Sequence, residues 1–316
     1  MSVKRRSVAG QSNVAVLLAT RNGAAFLHEQ LQSLEQQTHP AIDIWASDDG
    51  STDATLDILK AWQGRWSKGA FGIGNGPRKG FAENFRSLIC NREIRADYFA
   101  FCDQDDIWDN RKLELAIEWM AGEGVDLPLL FCSRTTTVSS TGAPIGHSPL
   151  FRRPPSFRNA LVQSIAGGNT MVLNRAARDS LAVASDRTGF VSHDWWAYTI
   201  VTGAGGVTRY SATPLVRYRQ HDANVVGANN TLRARLTRLK GLLHGQFARW
   251  NETNLEGLGK NRDLLTDDAR ATLDAFAEAR RSGLIHAMAS LRRSGVYRQT
   301  LGGTLLLWAA IALGLM

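Results

Sequence analysis

Three carboxylates within four residues, Asp103, Asp105 and Asp106, follow directly on the apolar run Tyr98–Cys102. The run reads as a short buried strand. Carboxylates crowded at its end repel one another and cost desolvation energy unless positive charge sits among them. Mg²⁺ or Mn²⁺, itself partly neutralised by a phosphate, is a fitting counter-charge, because both take oxygen ligands and keep positions open for substrate phosphates. The stretch Phe101–Asp109 therefore points to a metal–diphosphate site at the end of a sheet. The competing reading is a solvated acidic loop that caps the next helix, with Asp109-Asn110 as the cap.

The elements that must position these residues are legible in the preceding hundred. Val14–Ala19 is an apolar run of strand length, as expected for a parallel strand covered on both faces. Leu27, Leu31 and Leu34 fall at helical spacing. Ile42, Ile44 and Ala46 alternate as a second strand. Ser51 or Thr52 is placed to cap a helix whose Thr55, Leu59 and Trp62 share a face. Gly80 precedes a third helix, with Phe81, Phe85 and Leu88 on one side. Strands alternating with helices predict an α/β, doubly wound sheet with ligands at the C-terminal strand ends.

Three polar loops leave those ends: Thr20-Arg21-Asn22-Gly23, Asp48-Asp49-Gly50-Ser51 and Asp103-Gln104-Asp105-Asp106. Together they outline a nucleotide pocket. No G-x-G-x-x-G follows the first strand and no G-x-x-x-x-G-K-[ST] occurs, which argues against an NAD enzyme and a P-loop NTPase. Gly72-Ile73-Gly74-Asn75-Gly76 reads as loop.

Past residue 128 the pattern is mixed. Leu129–Ser133 and Met171–Leu173 read as strands, the latter entered through a bend at Gly167-Gly168-Asn169-Thr170. Val191-Ser192-His193-Asp194-Trp195-Trp196 opens an apolar helix that Asp194 is placed to cap. Leu215–Tyr218 is a strand running into Arg219-Gln220-His221. Beyond Gly227 the chain reads as helical, with Leu232, Leu236 and Leu239 on one face, and a domain boundary falls near residue 230.

The chain of 316 residues is 44% hydrophobic and 21% charged, ordinary globular material with a net charge of +8. Most of the excess lies between Thr231 and Thr300, with 13 basic residues against 7 acidic. Such a region suits nucleic acid, anionic lipid or an anionic substrate. No nucleic-acid-binding signature accompanies it. Cys90, Cys102 and Cys132 sit singly in apolar surroundings and read as core thiols rather than a disulfide framework or a zinc site. The Val14–Ala19 run after Lys4-Arg5-Arg6 is too short for a signal-peptide core. Leu305–Met316 is uncharged and follows Arg292, Arg293 and Arg298. It is shorter than the ~20 residues a spanning helix needs. A helix lying in a membrane surface and a helix packed on protein are both open readings.

Taken in order, Ala19–Gly23, Ser47–Asp53, Cys102–Trp108, His193–Trp196 and Tyr218-Arg219-Gln220-His221-x-x-Asn224-x-x-Gly227 resemble the GT-A glycosyltransferases of family 2, and within them bacterial rhamnosyltransferase-like members. The resemblance covers roughly residues 14 to 230. It implies a Rossmann-like GT-A domain over 14–230, after a tail at 1–13 and before a basic helical extension at 231–316. It also implies transfer of a sugar from a nucleoside diphosphate to a hydroxyl with inversion at the anomeric carbon.

Carried over motif by motif, Thr20 and Asn22 would line the nucleotide pocket. Asp49, with Asp48 as its neighbour, would meet base and ribose, and Asp103 would contact the nucleoside. Asp105 would hold Mg²⁺ or Mn²⁺ against the diphosphate, and His221 would complete that site. Asp194 would be the catalytic base, with His193 open as an alternative. Arg219 is read either as a diphosphate contact or as a surface strand arginine. Gly168, Asn169, His193 and Trp195 would border the acceptor, with one of Trp195 and Trp196 on sugar and the other in the core. The expected donor is dTDP-rhamnose, with a UDP-sugar as the alternative. The expected acceptor is a glycan or lipid-linked glycan, reached from the cytoplasmic face of the bacterial inner membrane. A non-catalytic sugar-nucleotide-binding or scaffold protein is the reading from another class.

Overall fold

The computed structural model describes residues 12–124, 126–221 and 245–316. The Lys4-Arg5-Arg6 segment, the Leu232/Leu236/Leu239 face, Asn224, Gly227 and the boundary near residue 230 lie outside the described residues.

One nine-stranded sheet organises the molecule. The strands β1 (Val14–Thr20), β2 (Ile42–Asp48), β3 (Phe71–Asn75) and β4 (Tyr98–Cys102) are parallel neighbours in the order β3-β2-β1-β4. Their connections are α1 (Leu27–Glu35), α2 (Thr55–Gln63) and α3 (Phe81–Cys90). Val14, Val16, Leu18, Leu27, Leu31, Leu34, Ile42 and Ile44 are all buried, as expected of strands covered on both faces.

The parallel run then gives way to mixed pairing. After β5 (Ile107–Trp108) and α4 (Lys112–Gly122), β6 (Leu129–Val138) forms a hairpin with β7 (Pro144–His147). A short helix α5 (Phe157–Ala160) and a 3-10 turn at Gly168–Thr170 precede β8 (Val172–Asn174), which is antiparallel to both β4 and β6. Helices α6 (Arg175–Arg187) and α7 (His193–Gly203) lead to β9 (Val207–Arg219), parallel to β6 and antiparallel to β5.

Among the described residues four α-helices follow: α8 (Gln246–Lys260), α9 (Asp267–Arg281), α10 (Leu284–Ser294) and α11 (Leu301–Ala312). Leu258, Phe276, Leu291 and Leu307 join Phe85, Phe101 and Trp196 in one continuous apolar core, so these helices close the side of the sheet that carries α3, α6 and α7. The contact is close enough that a Cβ on Gly257 would lie 2.9 Å from Trp196.

Three local expectations are corrected. Gly72–Asn75 belongs to β3, an edge strand hydrogen-bonded on one side to β2. Helix α2 is capped neither by Ser51 nor by Thr52: Asp53 Oδ1 accepts from Thr55 N at 3.0 Å. Phe81 stays partly exposed while Phe85 and Leu88 turn inward. All three cysteines are free thiols. Burial pushes the pKa of Cys102 and Cys132 up, and that of Cys90 up to about 12, so none is a ready nucleophile.

Candidate functional site

Register alone brings the first two polar loops together. Thr20 pairs with Asp48, and Leu18 with Cys102, so the loops after β1, β2 and β4 leave the sheet side by side. Their side chains then stitch them. Asp48 is buried and accepts from Thr20 Oγ1 at 2.9 Å, Ser51 N at 2.8 Å and Ser51 Oγ at 2.5 Å. Asn22 takes the left-handed backbone (φ 49°) and its Oδ1 accepts from Thr52 N at 2.8 Å. Asp49 accepts from Arg78 N at 2.5 Å and Gly80 N at 2.8 Å, which folds the chain after β3 over the pocket wall. Thr20, Asn22, Asp48 and Asp49 therefore all line one loop cluster, with their polar atoms engaged in shaping it.

Gln104, which the sequence reading passed over, is the clip between the first and third loops. Its Oε1 accepts from Arg21 N at 2.7 Å and its Nε2 donates to Arg21 O at 2.9 Å. A Cβ on Gly23 would meet Gln104 Oε1 at 2.3 Å, so a larger residue there would push the Gln104 side chain off Arg21.

The third loop is joined to the end of β9. Ile107 opposes Arg217 in the antiparallel β5–β9 pair, which carries Asp105 towards the residues that follow Arg219. His221 Nε2 lies 2.8 Å from Asp105 Oδ2. Two groups 116 positions apart in sequence thus share one small site.

Arg219 is buried and serves this junction from behind. Its Nε donates to Asp105 O at 3.0 Å, its Nη1 to Ser140 O at 2.8 Å, and its guanidinium pairs with Glu29. Neither sequence reading of Arg219 describes this: the guanidinium braces the Asp103–Asp106 loop against the β6–β7 hairpin and α1.

The acidic groups crowd one another. Burial raises the pKa of Asp103 well above the usual carboxylate value, and Asp106, Asp105 and Asp194 raise it further. Burial pushes Asp106 up to about 7, with Asp105 adding to it. Asp106 points away from the cleft: its Oδ2 accepts from Asn169 Nδ2 at 2.5 Å and its Oδ1 from Arg219 N at 3.2 Å.

Asp105 offers a carboxylate oxygen, which suits Mg²⁺ or Mn²⁺, and His221 a ring nitrogen, which Mn²⁺ accepts more readily than the harder Mg²⁺. Among the described residues no group of three His, Cys, Asp or Glu side chains gathers as a metal cage. The two donors suit an ion that takes its other ligands from water and substrate oxygens.

A further carboxylate stands at the N-terminus of α7. Asp194 is half-buried in its first turn; its Oδ1 accepts from Trp195 N at 2.8 Å and its Oδ2 lies 3.5 Å from Ser164 Oγ. Its charge helps to raise the pKa of Asp103.

His193 is different. Its ring stacks on Phe85 at 3.7 Å between centroids and meets Phe101 edge-on at 4.8 Å. Burial lowers its pKa to about 4. A Cβ on Gly168 would fall 1.9 Å from its Nε2, so the 3-10 turn lies directly over the ring. His193 is a buried support, which corrects its expected place beside the acceptor and removes it as the alternative base.

Trp195 is corrected in the same way. Its Nε1 donates to Ala160 O at 2.6 Å and its ring stacks on Phe247 of α8, while Trp196 is fully buried, so both indoles belong to the core. Gly168 and Asn169 form the turn above His193, and the Asn169 side chain turns inward to Asp106.

A family model for glycosyl transferase family 2 matches residues 15–180, more than half of the chain. The chain belongs to this family. The dTDP-rhamnosyl transferase RfbG of Shigella flexneri is 28% identical over 257 residues, 75% of this chain and 83% of that protein. The putative teichuronic acid biosynthesis glycosyltransferase TuaG of Bacillus subtilis is 25% identical over 178 residues, covering 55% of this chain and 67% of its own. Among solved structures, S. aureus TarS in complex with UDP-GlcNAc superposes with a TM-score of 0.54 at 16% identity, covering 89% of each chain. The fold is GT-A, and the protein is a glycosyltransferase with a rhamnosyltransferase-like sequence.

Proposed function

We propose that the protein is an inverting, metal-dependent glycosyltransferase that moves L-rhamnose from dTDP-rhamnose to a hydroxyl of a lipid-linked cell-surface glycan. The observation that carries this reading is the approach of His221 Nε2 to Asp105 Oδ2, 2.8 Å, next to Asp103, whose carboxyl also feels the charge of Asp194. The match to the S. flexneri dTDP-rhamnosyl transferase over most of both chains supports the donor.

The nucleoside is received by the Thr20–Asn22 and Asp48–Asp49 loops, with Asp103 at the end of β4, on the other side of β1 from Asp48. Asp105 and His221 would hold Mg²⁺ or Mn²⁺, which when bound offsets negative charge on the departing diphosphate. The acceptor hydroxyl enters over Gly168. Asp194 accepts its proton as the oxygen bonds to the anomeric carbon, and the bond from that carbon to the diphosphate oxygen breaks on the opposite face. A UDP-hexose donor is the second reading. It is supported by 29% identity over 121 residues to the Escherichia coli UDP-Glc:alpha-D-GlcNAc-diphosphoundecaprenol beta-1,3-glucosyltransferase WfaP, covering 35% of this chain and 43% of that protein.

Calorimetry with dTDP, UDP and GDP, each with and without Mn²⁺, tests the reading. Mn²⁺-dependent binding of dTDP is the expected result. A preference for UDP moves the donor and keeps the reaction, and no binding of any nucleotide removes the proposed metal-dependent donor site.

The tail supports work at a membrane surface. No helix among the described residues is long and apolar enough to cross a bilayer. Helix α11 buries Leu307, Ala310 and Ile311 in the core but leaves Leu305 61% and Leu306 57% exposed. Arg292 is exposed beside it, whereas Arg298 turns inward to Val162 O. Replacing Leu305 and Leu306 by serine is expected to weaken flotation with anionic vesicles by about tenfold or more, since each leucine contributes ~1.5–3 kcal/mol when it leaves water. The melting temperature should hold, because neither side chain is in the core. Unchanged flotation in that variant would reject the lipid contact.

A further inference from the structure

Lys112, the first residue of α4, is fully buried directly beneath the acidic loop. Its Nζ donates to Asn169 O at 2.6 Å and lies 3.1 Å from the centroid of the Trp108 ring. Asn169 in turn donates through Nδ2 to Asp106 Oδ2 at 2.5 Å, and Asp106 Oδ1 accepts from Arg219 N at 3.2 Å. The run of hydrogen bonds passes from α4 through the turn that covers His193 to the loop that carries Asp105, and on to the end of β9, two residues before His221.

Nothing in α4 itself calls for a lysine here. Its first turn already carries Glu114, and a buried amine costs desolvation that a methionine of similar length would avoid. What the amine supplies is a donor for a buried carbonyl at the base of the acceptor-side turn. That bond also orients the Asn169 amide, which links this turn to Asp106.

We propose that Lys112 is a positioning residue that holds the acceptor-side turn and the Asp105 loop at one fixed spacing, acting through Asn169 and Asp106. The purpose given to that spacing rests on the glycosyl-transfer reading, but the mechanical link does not. Losing the amine strands the Asn169 carbonyl, frees the turn, and withdraws the amide that steadies Asp106. The two walls of the site then move independently, although neither Asp105 nor Asp194 has been touched.

Hydrogen exchange on the metal-free, full-length Lys112→Met protein tests the link. Exchange of amides in Gly167–Met171 and in Gln104–Asp106 is expected to rise together by about tenfold or more, with β1 and β2 unchanged. A general loss of stability would raise exchange throughout the sheet, and a local one would loosen the turn alone; either result overturns the proposal. Should that variant fail to fold, Asn169→Ala carries the test, because it keeps the carbonyl bonded to Lys112 and removes only the amide on Asp106. It should loosen Gln104–Asp106, and unchanged exchange there rejects the link. Mn²⁺-dependent dTDP binding, measured on the same samples, should weaken by about fivefold or more in the variants. Absence of such binding in the wild-type protein would remove dTDP as the donor nucleotide and leave the exchange result to stand by itself.

Discussion

Asp194→Asn is expected to lower sugar transfer by about 10²–10⁴-fold while leaving the affinity for Mn²⁺ and dTDP within about twofold. The asymmetry follows from where Asp194 stands. It lies in the first turn of α7, and its contacts are to Trp195 N and Ser164 Oγ rather than to the loops after β1, β2 and β4. Asparagine keeps the size and an acceptor oxygen for Trp195 N, so the helix start is preserved. What it lacks is a carboxylate able to take the acceptor's proton.

His193 cannot take over that task. Its ring is enclosed by Phe85, Phe101 and the Gly168 turn, and its pKa of about 4 makes it a neutral and weak base at pH 7. The same shift makes His193 a contributor to acid sensitivity of the fold. With a folded pKa below the usual 6.5, the unfolded chain binds the extra proton, so stability falls as pH drops from about 6.5 towards 4. Transfer and affinity are read separately, by product formation and by calorimetry. Undiminished transfer in Asp194→Asn would send the search for the base elsewhere in the cleft, and lost affinity would make Asp194 part of the donor site.

How much of this was legible in the sequence depended on the physics of each element. Strands β1 and β4 announce themselves because burial on both faces demands near-continuous apolar runs, and β2 does so by the alternation of Ile42, Ile44 and Ala46. The strand β3 does not, since Phe71-Gly72-Ile73-Gly74-Asn75 carries two glycines and pairs on one edge only. The three polar loops were readable as a pocket because alternating strands and helices fix where strand ends point. Which atoms face that pocket was not readable. Asp48 and Asp49 look alike as letters, and the backbone amides they accept from lie in loops whose course no local pattern records.

The pairing of Asp105 with His221 was reached by resemblance alone, for a physical reason. It depends on the two-residue strand β5 finding β9, a contact without any period to detect. Trp195, Arg219 and His193 were assigned outward roles because aromatic, cationic and imidazole side chains near motifs invite them. The tertiary structure turns each inward, onto Ala160 O, Asp105 O and Phe85 respectively. Lys112 escaped notice altogether. In Asn110-Arg111-Lys112-Leu113-Glu114 it looks like one more solvated charge at a helix start, and only the fold reveals that Trp108 and the 167–170 turn cover it.

Asp105→Ala is expected to abolish Mn²⁺-dependent binding of dTDP, and transfer with it, without unfolding the protein. The loop's backbone does not rely on this carboxylate: Arg219 Nε holds the Asp105 carbonyl, Gln104 clips Arg21, and Asp106 is tied to Asn169 and Arg219 N. Removing the Asp105 charge also relieves repulsion that Asp103 and Asp106 both feel. The metal-free variant should therefore melt at the wild-type temperature or slightly above it, the signature of a group retained for function at a cost to stability.

Asp106→Ala should behave in the opposite way. It leaves the Asn169 amide and a buried backbone N–H without their acceptor, each costing ~1–3 kcal/mol, so its melting temperature should fall before any question of metal arises. Thermal melts without metal, followed by calorimetry with Mn²⁺ and dTDP, separate the two carboxylates. Wild-type affinity in Asp105→Ala would remove the metal assignment from this loop. A large drop in its melting temperature would make Asp105 a structural residue like its neighbour, and the 2.8 Å approach of His221 a structural contact rather than half of an ion site.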